Sequence, residues 1–295
     1  MNNLFQDLRY KVFQSGNPLY FYIGLNTIIF VVLALVGLPS FLAGNGGLVY
    51  DVYVREYAGF PALLSKLPYR FYTIFTYPFF HDGLLHLFFN MLVLYWMGQI
   101  FLDFLKPRQF HFVYLSGGVA GALVYLGAYN LFPVFAQVTA SGAATIIGSS
   151  ASVMAVVVAA ATLLPDYSIR LLLFGDVKLK YLALAYVVLD LIGIASVNAG
   201  GSFAHLGGAL LGFVYIKALQ NGSDWSNLFK KNRHKLRVVK NERRSGRTGK
   251  AGSGKPSAVN QEQIDAILDK ISQSGYDKLT REEKETLFKA SKHQE

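Results

Sequence analysis

The chain has 295 residues, 53% hydrophobic and only 16% charged, with no cysteine and a formal net charge of +10. Soluble globular chains carry about 25% charged residues and gather their apolar ones into short periodic stripes. Here the apolar runs are long enough to cross a bilayer, which excludes a soluble enzyme, and the missing cysteine excludes disulfides, thiolate catalysis, iron–sulfur clusters and Cys-ligated zinc.

Six segments approach the roughly 20 apolar residues that a helical span requires: 19–38, 83–102, 110–132, 150–164, 181–197 and 203–219. Arg9 and Lys11 precede the first in the manner of a signal peptide, but no small-residue cleavage pattern follows, so it reads as a retained helix. The connection 39–80 is too long for a simple turn and is rich in aromatics, which predicts a folded loop lying at the membrane interface. The stretch 166–180 is too polar to span and predicts a short hairpin around Gly175 and Asp176. Residues 220–295 hold 17 Lys/Arg and 10 Asp/Glu, so most of the net charge sits behind the last span. Ten of those cations fall in 230–250, ahead of a Gly/Ser-rich stretch that reads as a flexible linker. Beyond it Ile264, Ile267, Leu268 and Ile271 recur at helical spacing, and Thr280 opens a capping box with Glu283. The expected organisation is a membrane domain over 1–219, a basic linker over 220–260 and a small helical element over 261–295.

Positive charge sets the orientation. With the N-terminus inside, the inner segments carry 25 Lys/Arg and the outer ones only Arg55, Lys66 and Arg70, all in the first outer loop. Both termini then lie inside, which agrees with an even number of spans.

Polar groups inside a membrane are expensive and therefore candidates for function. His81 and His86 fall at the outer end of the second span, Ser150 near the outer start of the fourth, and His205 at the outer end of the sixth. His86 and Asn90 are four apart and share a helical face. Ser150 sits just inside a helix start, where unpaired N–H groups and the dipole favour negative charge. Gly208 and Gly212 share the face of His205 and permit close helix approach. A hydroxyl facing an imidazole on a tightly packed neighbour is the arrangement of a nucleophile with its base, and a carboxamide with a second imidazole supplies oxyanion donors. Each motif also has a structural reading, since serines in spans commonly bond backbone carbonyls or ease packing. A metal site from His81, His86 and Asn90 is a further reading, against which no HExxH pattern and no acidic third ligand accompany them.

The segments "FTYPFFHDGLLHLFFNMLVLYWMGQIF", "GSSAS" and "AHLGGALLG", in that order, resemble the rhomboid family of intramembrane serine proteases over roughly 67–219. The resemblance implies an all-α integral membrane fold, a six-transmembrane helical bundle with an interfacial first outer loop. It implies Ser150 as nucleophile, His205 as general base, and Asn90 and His86 with the Ser150 N–H as oxyanion hole. His81 corresponds to a supporting histidine at the mouth, and Tyr69-Arg70 looks like the family's Trp-Arg element. Two positions depart from the family pattern. Ala151 stands where glycine is common. Met154 stands where a tyrosine commonly packs on the base, although a thioether can also pack against imidazole. No carboxylate is expected to orient the base, because Asp103 and Asp190 are assigned nearer the inner side, so the expectation is a Ser150/His205 dyad.

The resemblance further implies transmembrane protein substrates cleaved near the outer face, with no cofactor and no metal. The terminal element resembles modules on some bacterial rhomboids, which places the chain as a multi-pass protein of the bacterial inner membrane with cytoplasmic termini. Two other classes share parts of the pattern: a catalytically inactive rhomboid-like protein that binds membrane helices, and a small transporter, against which no inverted repeat or buried acidic relay is visible. The basic tail suits anionic lipid. Nucleic acid is not expected, since no aromatic platform is interleaved with the cations.

Overall fold

The computed structural model describes residues 4–45, 49–171, 175–196, 198–229 and 261–292. The chain divides into two units, Met1–Arg233 and His234–Glu295.

In the first unit α1 spans Pro18–Ser40. It starts where Asn17 accepts the Leu19 N–H at 2.9 Å and Pro18 occupies the first helical position, both favourable at a helix N-terminus. Next come α2 (Leu84–Phe104), α3 (Pro107–Leu131), α4 (Ser150–Leu163), α5 (Leu179–Gly193) and α6 (Ala199–Gln220). The apolar helices that begin at Pro18, Leu84, Pro107 and Ala199 are long enough to cross a membrane. The other two are shorter, at 14 residues for α4 and 15 for α5.

The shortness of α4 is explained by where it sits. Every residue from Ala151 to Ala161 is buried, so it is apolar on all sides and enclosed by the bundle. Small residues bring its neighbours to backbone contact. A Cβ at Gly208 would lie 2.0 Å from the Ala151 carbonyl oxygen, and one at Gly212 would lie 2.2 Å from that of Ala155. On α3, a Cβ at Gly121 would lie 2.6 Å from the Ala151 Cβ. This is close packing between membrane helices, without a hydrophobic driving force to hold them. Elsewhere α1 is tied to α3 by Asn26, whose amide donates to the Tyr114 hydroxyl at 3.1 Å and the Tyr22 carbonyl at 2.7 Å.

The first loop is folded. A helical segment, Val49–Ala58, leads to β1 (Phe60–Pro61), which pairs antiparallel with β2 (Thr145–Ile146) in the register Phe60↔Ile146. The loop is thereby fastened to the segment that leads into α4. Glu56 clasps it from the other side, accepting from Arg70 and, at 3.1 Å, from Lys66. Between α4 and α5, β3 (Ser168–Leu171) and β4 (Gly175–Lys178) form a hairpin in the register Leu171↔Gly175. Its base is closed by Asp166 with Lys178 at 3.0 Å and Lys180 at 2.8 Å.

The body continues past residue 219, where the sequence places a linker. Asp224 accepts from Arg108 at 3.0 Å, from the Tyr215 hydroxyl at 3.0 Å and from the Ser226 hydroxyl at 2.6 Å. A short helical turn, Trp225–Phe229, follows. Most of the expected basic linker, residues 230–260, lies outside the described residues. In the second unit α7 (Gln261–Ser274) and α8 (Arg281–Lys292) flank a turn. The Thr280 N–H donates to Glu283 at 2.7 Å, and the Glu283 N–H donates to the Thr280 hydroxyl at 3.3 Å, the reciprocal pair of a capping box.

Candidate active site

Because α4 starts deep in the bundle, its N-terminus opens into a cavity of about 560 Å³. The lining brings together His86 and Asn90 from α2, Ser150 and Met154 from α4, and His205 from α6. These are the residues that the sequence singled out on three separate spans.

The three adjacent serines have separate environments. Ser149 and Ser152 are fully buried. Ser149 is held by His81, whose Nε2 accepts from the Ser149 hydroxyl at 3.0 Å and from its N–H at 3.4 Å. An N–H can only donate, so this His81 nitrogen carries the lone pair. Ser152 packs toward α3, where a Cβ at Gly118 would lie 2.8 Å from its hydroxyl. Ser150 is the serine of the three that lines the cavity. The Ser149 side chain makes no cap hydrogen bond to the helix, so it does not occupy the first-turn N–H groups of α4.

The imidazoles and the carboxamide are set by their own contacts. The His81 and His86 rings meet edge to face at 5.1 Å. His86 also packs on Gly148, which has φ +118° and where a Cβ would lie 2.7 Å from the ring. That backbone conformation and that space both require glycine. Asn90 donates one amide N–H to the His86 carbonyl at 2.8 Å, which fixes the side chain and leaves its second N–H for the cavity. Gly208 and Gly212 lie one and two turns beyond His205 against α4, as described above. Arg55 and Asp82, paired at 2.9 Å, also line the cavity. In the loop, its hydrogen bond from Arg70 holds the Glu56 carboxyl below the usual range.

The structure corrects one expectation. The His205 Nδ1–H donates to Asp190 Oδ1 at 2.7 Å, so a carboxylate does reach the histidine expected to lack one. The span read as 181–197, with Asp190 assigned nearer the inner side, separates it from His205. In the structure α5 ends at Gly193, so Asp190 falls in its last turn, beside the second turn of α6. An acidic residue in an apolar run was the available signal, and the misjudged helix end obscured it. Among the described residues no group of three His, Asp or Glu side chains gathers as a metal site.

Fold and cavity together define an all-α membrane bundle with a serine, two histidines and a carboxamide converging on one buried cleft. The model of the Rhomboid domain matches residues 68–221, more than half of the chain, and the protein belongs to the rhomboid family. Residues 257–293 match a second family model, a family of unknown function (DUF6576). Presenilin-associated rhomboid-like protein A, mitochondrial, from Danio rerio is 32% identical over 145 residues, 47% of this chain and 35% of that relative. The match therefore spans about a third of the relative's length.

Proposed function

We propose that this protein is an intramembrane serine endopeptidase that cleaves transmembrane segments near one membrane face. The observation that carries the reading is the convergence of Ser150, His205, His86 and Asn90 on one cavity in a chain of the rhomboid family.

In this reading the Ser150 hydroxyl attacks the scissile carbonyl carbon while His205 Nε2 takes its proton. The developing oxyanion is met by the free Asn90 N–H, by His86 and by main-chain N–H groups at the uncapped start of α4. His205 then returns the proton to the leaving amine, and water resolves the acyl-enzyme by the same route in reverse. A substrate helix must unwind to present a peptide bond, because its carbonyls are otherwise internally bonded. Segments with helix-breaking or small residues are therefore the favoured class. The Lys/Arg bias argues that both termini are cytoplasmic and the cleft faces the outer side, in a bacterial inner membrane; reporter fusions at the two termini test that placement.

The decisive experiment is reconstitution of the full chain in liposomes with a model membrane-spanning substrate, alongside Ser150→Ala. Cleavage by the parent and none by the variant is the expected result. Cleavage that persists in Ser150→Ala removes Ser150 as nucleophile. A parent that binds the substrate helix without cutting it replaces the reading with that of an inactive helix-binding protein.

A further inference from the structure

Resting on that reading, we propose that Asp190 is a positioning residue for the base: its carboxylate holds the His205 Nδ1–H, leaves Nε2 free for Ser150, and balances the imidazolium formed during acyl transfer. The protease would then work with three linked side chains instead of two.

Three observations support this. The Nδ1···Oδ1 distance is 2.7 Å, in the range of a charge-assisted hydrogen bond. The Asp190 side chain is only 13% exposed, and its second oxygen, also buried, makes no hydrogen bond among the described residues. A carboxylate left there without a partner is costly in a membrane helix, and His205 is the partner the geometry provides. Finally, α5 is brought to α6 at this level by Gly193, where a Cβ would lie 2.5 Å from the Ser202 hydroxyl. Along α5 only Leu179 and Ala183 are buried, so the helix is not placed here by an extensive apolar core. Among the described residues, His86, Arg55, Asp82 and Tyr186 line the same cavity as His205, Tyr186 one turn before Asp190 on α5.

The proton balance is simple. The Ser150 O–H bond breaks, its proton moves to His205 Nε2, and the Oγ–carbon bond forms. Asp190 takes no proton; it stays hydrogen-bonded to Nδ1–H while the opposite ring nitrogen becomes positive. The proton then passes to the leaving nitrogen as the C–N bond breaks. Without the carboxylate, the same transfer leaves a cation in the cleft with no counter-charge beside it.

Asp190→Asn separates this role from that of a simple helix clamp. The amide can still bond Nδ1, through its oxygen or its N–H, so a clamp survives, but the charge is gone and the tautomer with Nε2 free is no longer enforced. In reconstituted full-length protein, kcat on the model substrate is expected to fall about 100-fold or more, with KM within about twofold and the thermal unfolding midpoint unchanged. Labelling of Ser150 by a fluorophosphonate should slow in parallel. A folded Asp190→Asn with parent-level kcat overturns the proposal. Should that variant fail to fold, Asp190→Ala is read by the same criterion: kcat lost at constant KM supports the role, and parent-level kcat removes it. A parent that neither cleaves nor labels at Ser150 overturns the protease reading itself, and this inference with it.

Discussion

The contacts of α6 differ sharply between its two neighbours. Toward α4 it meets main chain with main chain, at Gly208 on Ala151 and Gly212 on Ala155. Toward α5 the close approach is at the Gly193 end, and most of α5 remains outside the core, with Leu184, Leu189 and Ile192 all more than half exposed. The helices bearing the proposed nucleophile and base are thus locked to one another, whereas the helix that carries Asp190 packs on the bundle through partly buried side chains such as Leu182, Tyr186 and Val187. Backbone-to-backbone contact is concentrated between the two helices whose proposed reacting groups must stay in register.

Variants can break or sharpen this contrast. The largest effect is expected from Gly208→Val, which puts a branched side chain into a 2.0 Å gap against a backbone carbonyl. Overpacking typically costs about 1–3 kcal/mol, and a helix backbone relaxes less than a side chain, so loss of about 3 kcal/mol or more is expected, visible as aggregation or a collapsed unfolding midpoint. Asn90→Ala should leave that frame intact yet slow turnover by about 10²–10³, the cost of one oxyanion donor; a fully active variant would remove Asn90 from the proposed site. The loop clasp should show an intermediate effect through pH. The Glu56 carboxyl is held below its unfolded value of 4.5 by Arg70 and Lys66. Its contribution is therefore complete above that value and is lost as pH falls through the lowered folded value. Hydrogen exchange across 49–70, corrected for intrinsic rates, should rise on acidification in the parent and stay flat in Glu56→Gln. The smallest effect belongs to the rim helix: Leu189→Ala, at 64% exposure, should move stability by no more than about 0.5 kcal/mol. A loss of several times that would mean that α5 is packed against something the single chain does not reveal.

Much of this arrangement was legible in the sequence, for identifiable reasons. Long apolar runs mark membrane helices because lipid leaves the backbone few alternatives. The polarity around Gly175 and Asp176 predicts a hairpin, and in the structure both residues fall in β4, opposite Leu171 and Arg170. His86, Asn90, Ser150 and His205 stood out because polar groups are rare in such runs, and all four line the cavity. The failures are equally physical. The need for glycine at 148 comes from a ring on another helix together with a positive φ. Asp190 was set aside because the end of α5 is fixed by the chain turning at Ile194–Ser196 toward α6, which hydropathy alone does not locate. Asp224 finds Arg108 across 116 positions, beyond the reach of any local pattern.

That last contact bears on where the membrane body can be excised and transplanted. A stop placed after Leu219, at the apparent end of the hydrophobic stretch, would strip Arg108 of both Asp224 and Ser226 and strand a guanidinium at 27% exposure on the opening turn of α3. A cut after Phe229 keeps the buckle closed. The natural seam of the module therefore lies ten residues beyond the point at which its greasy character runs out.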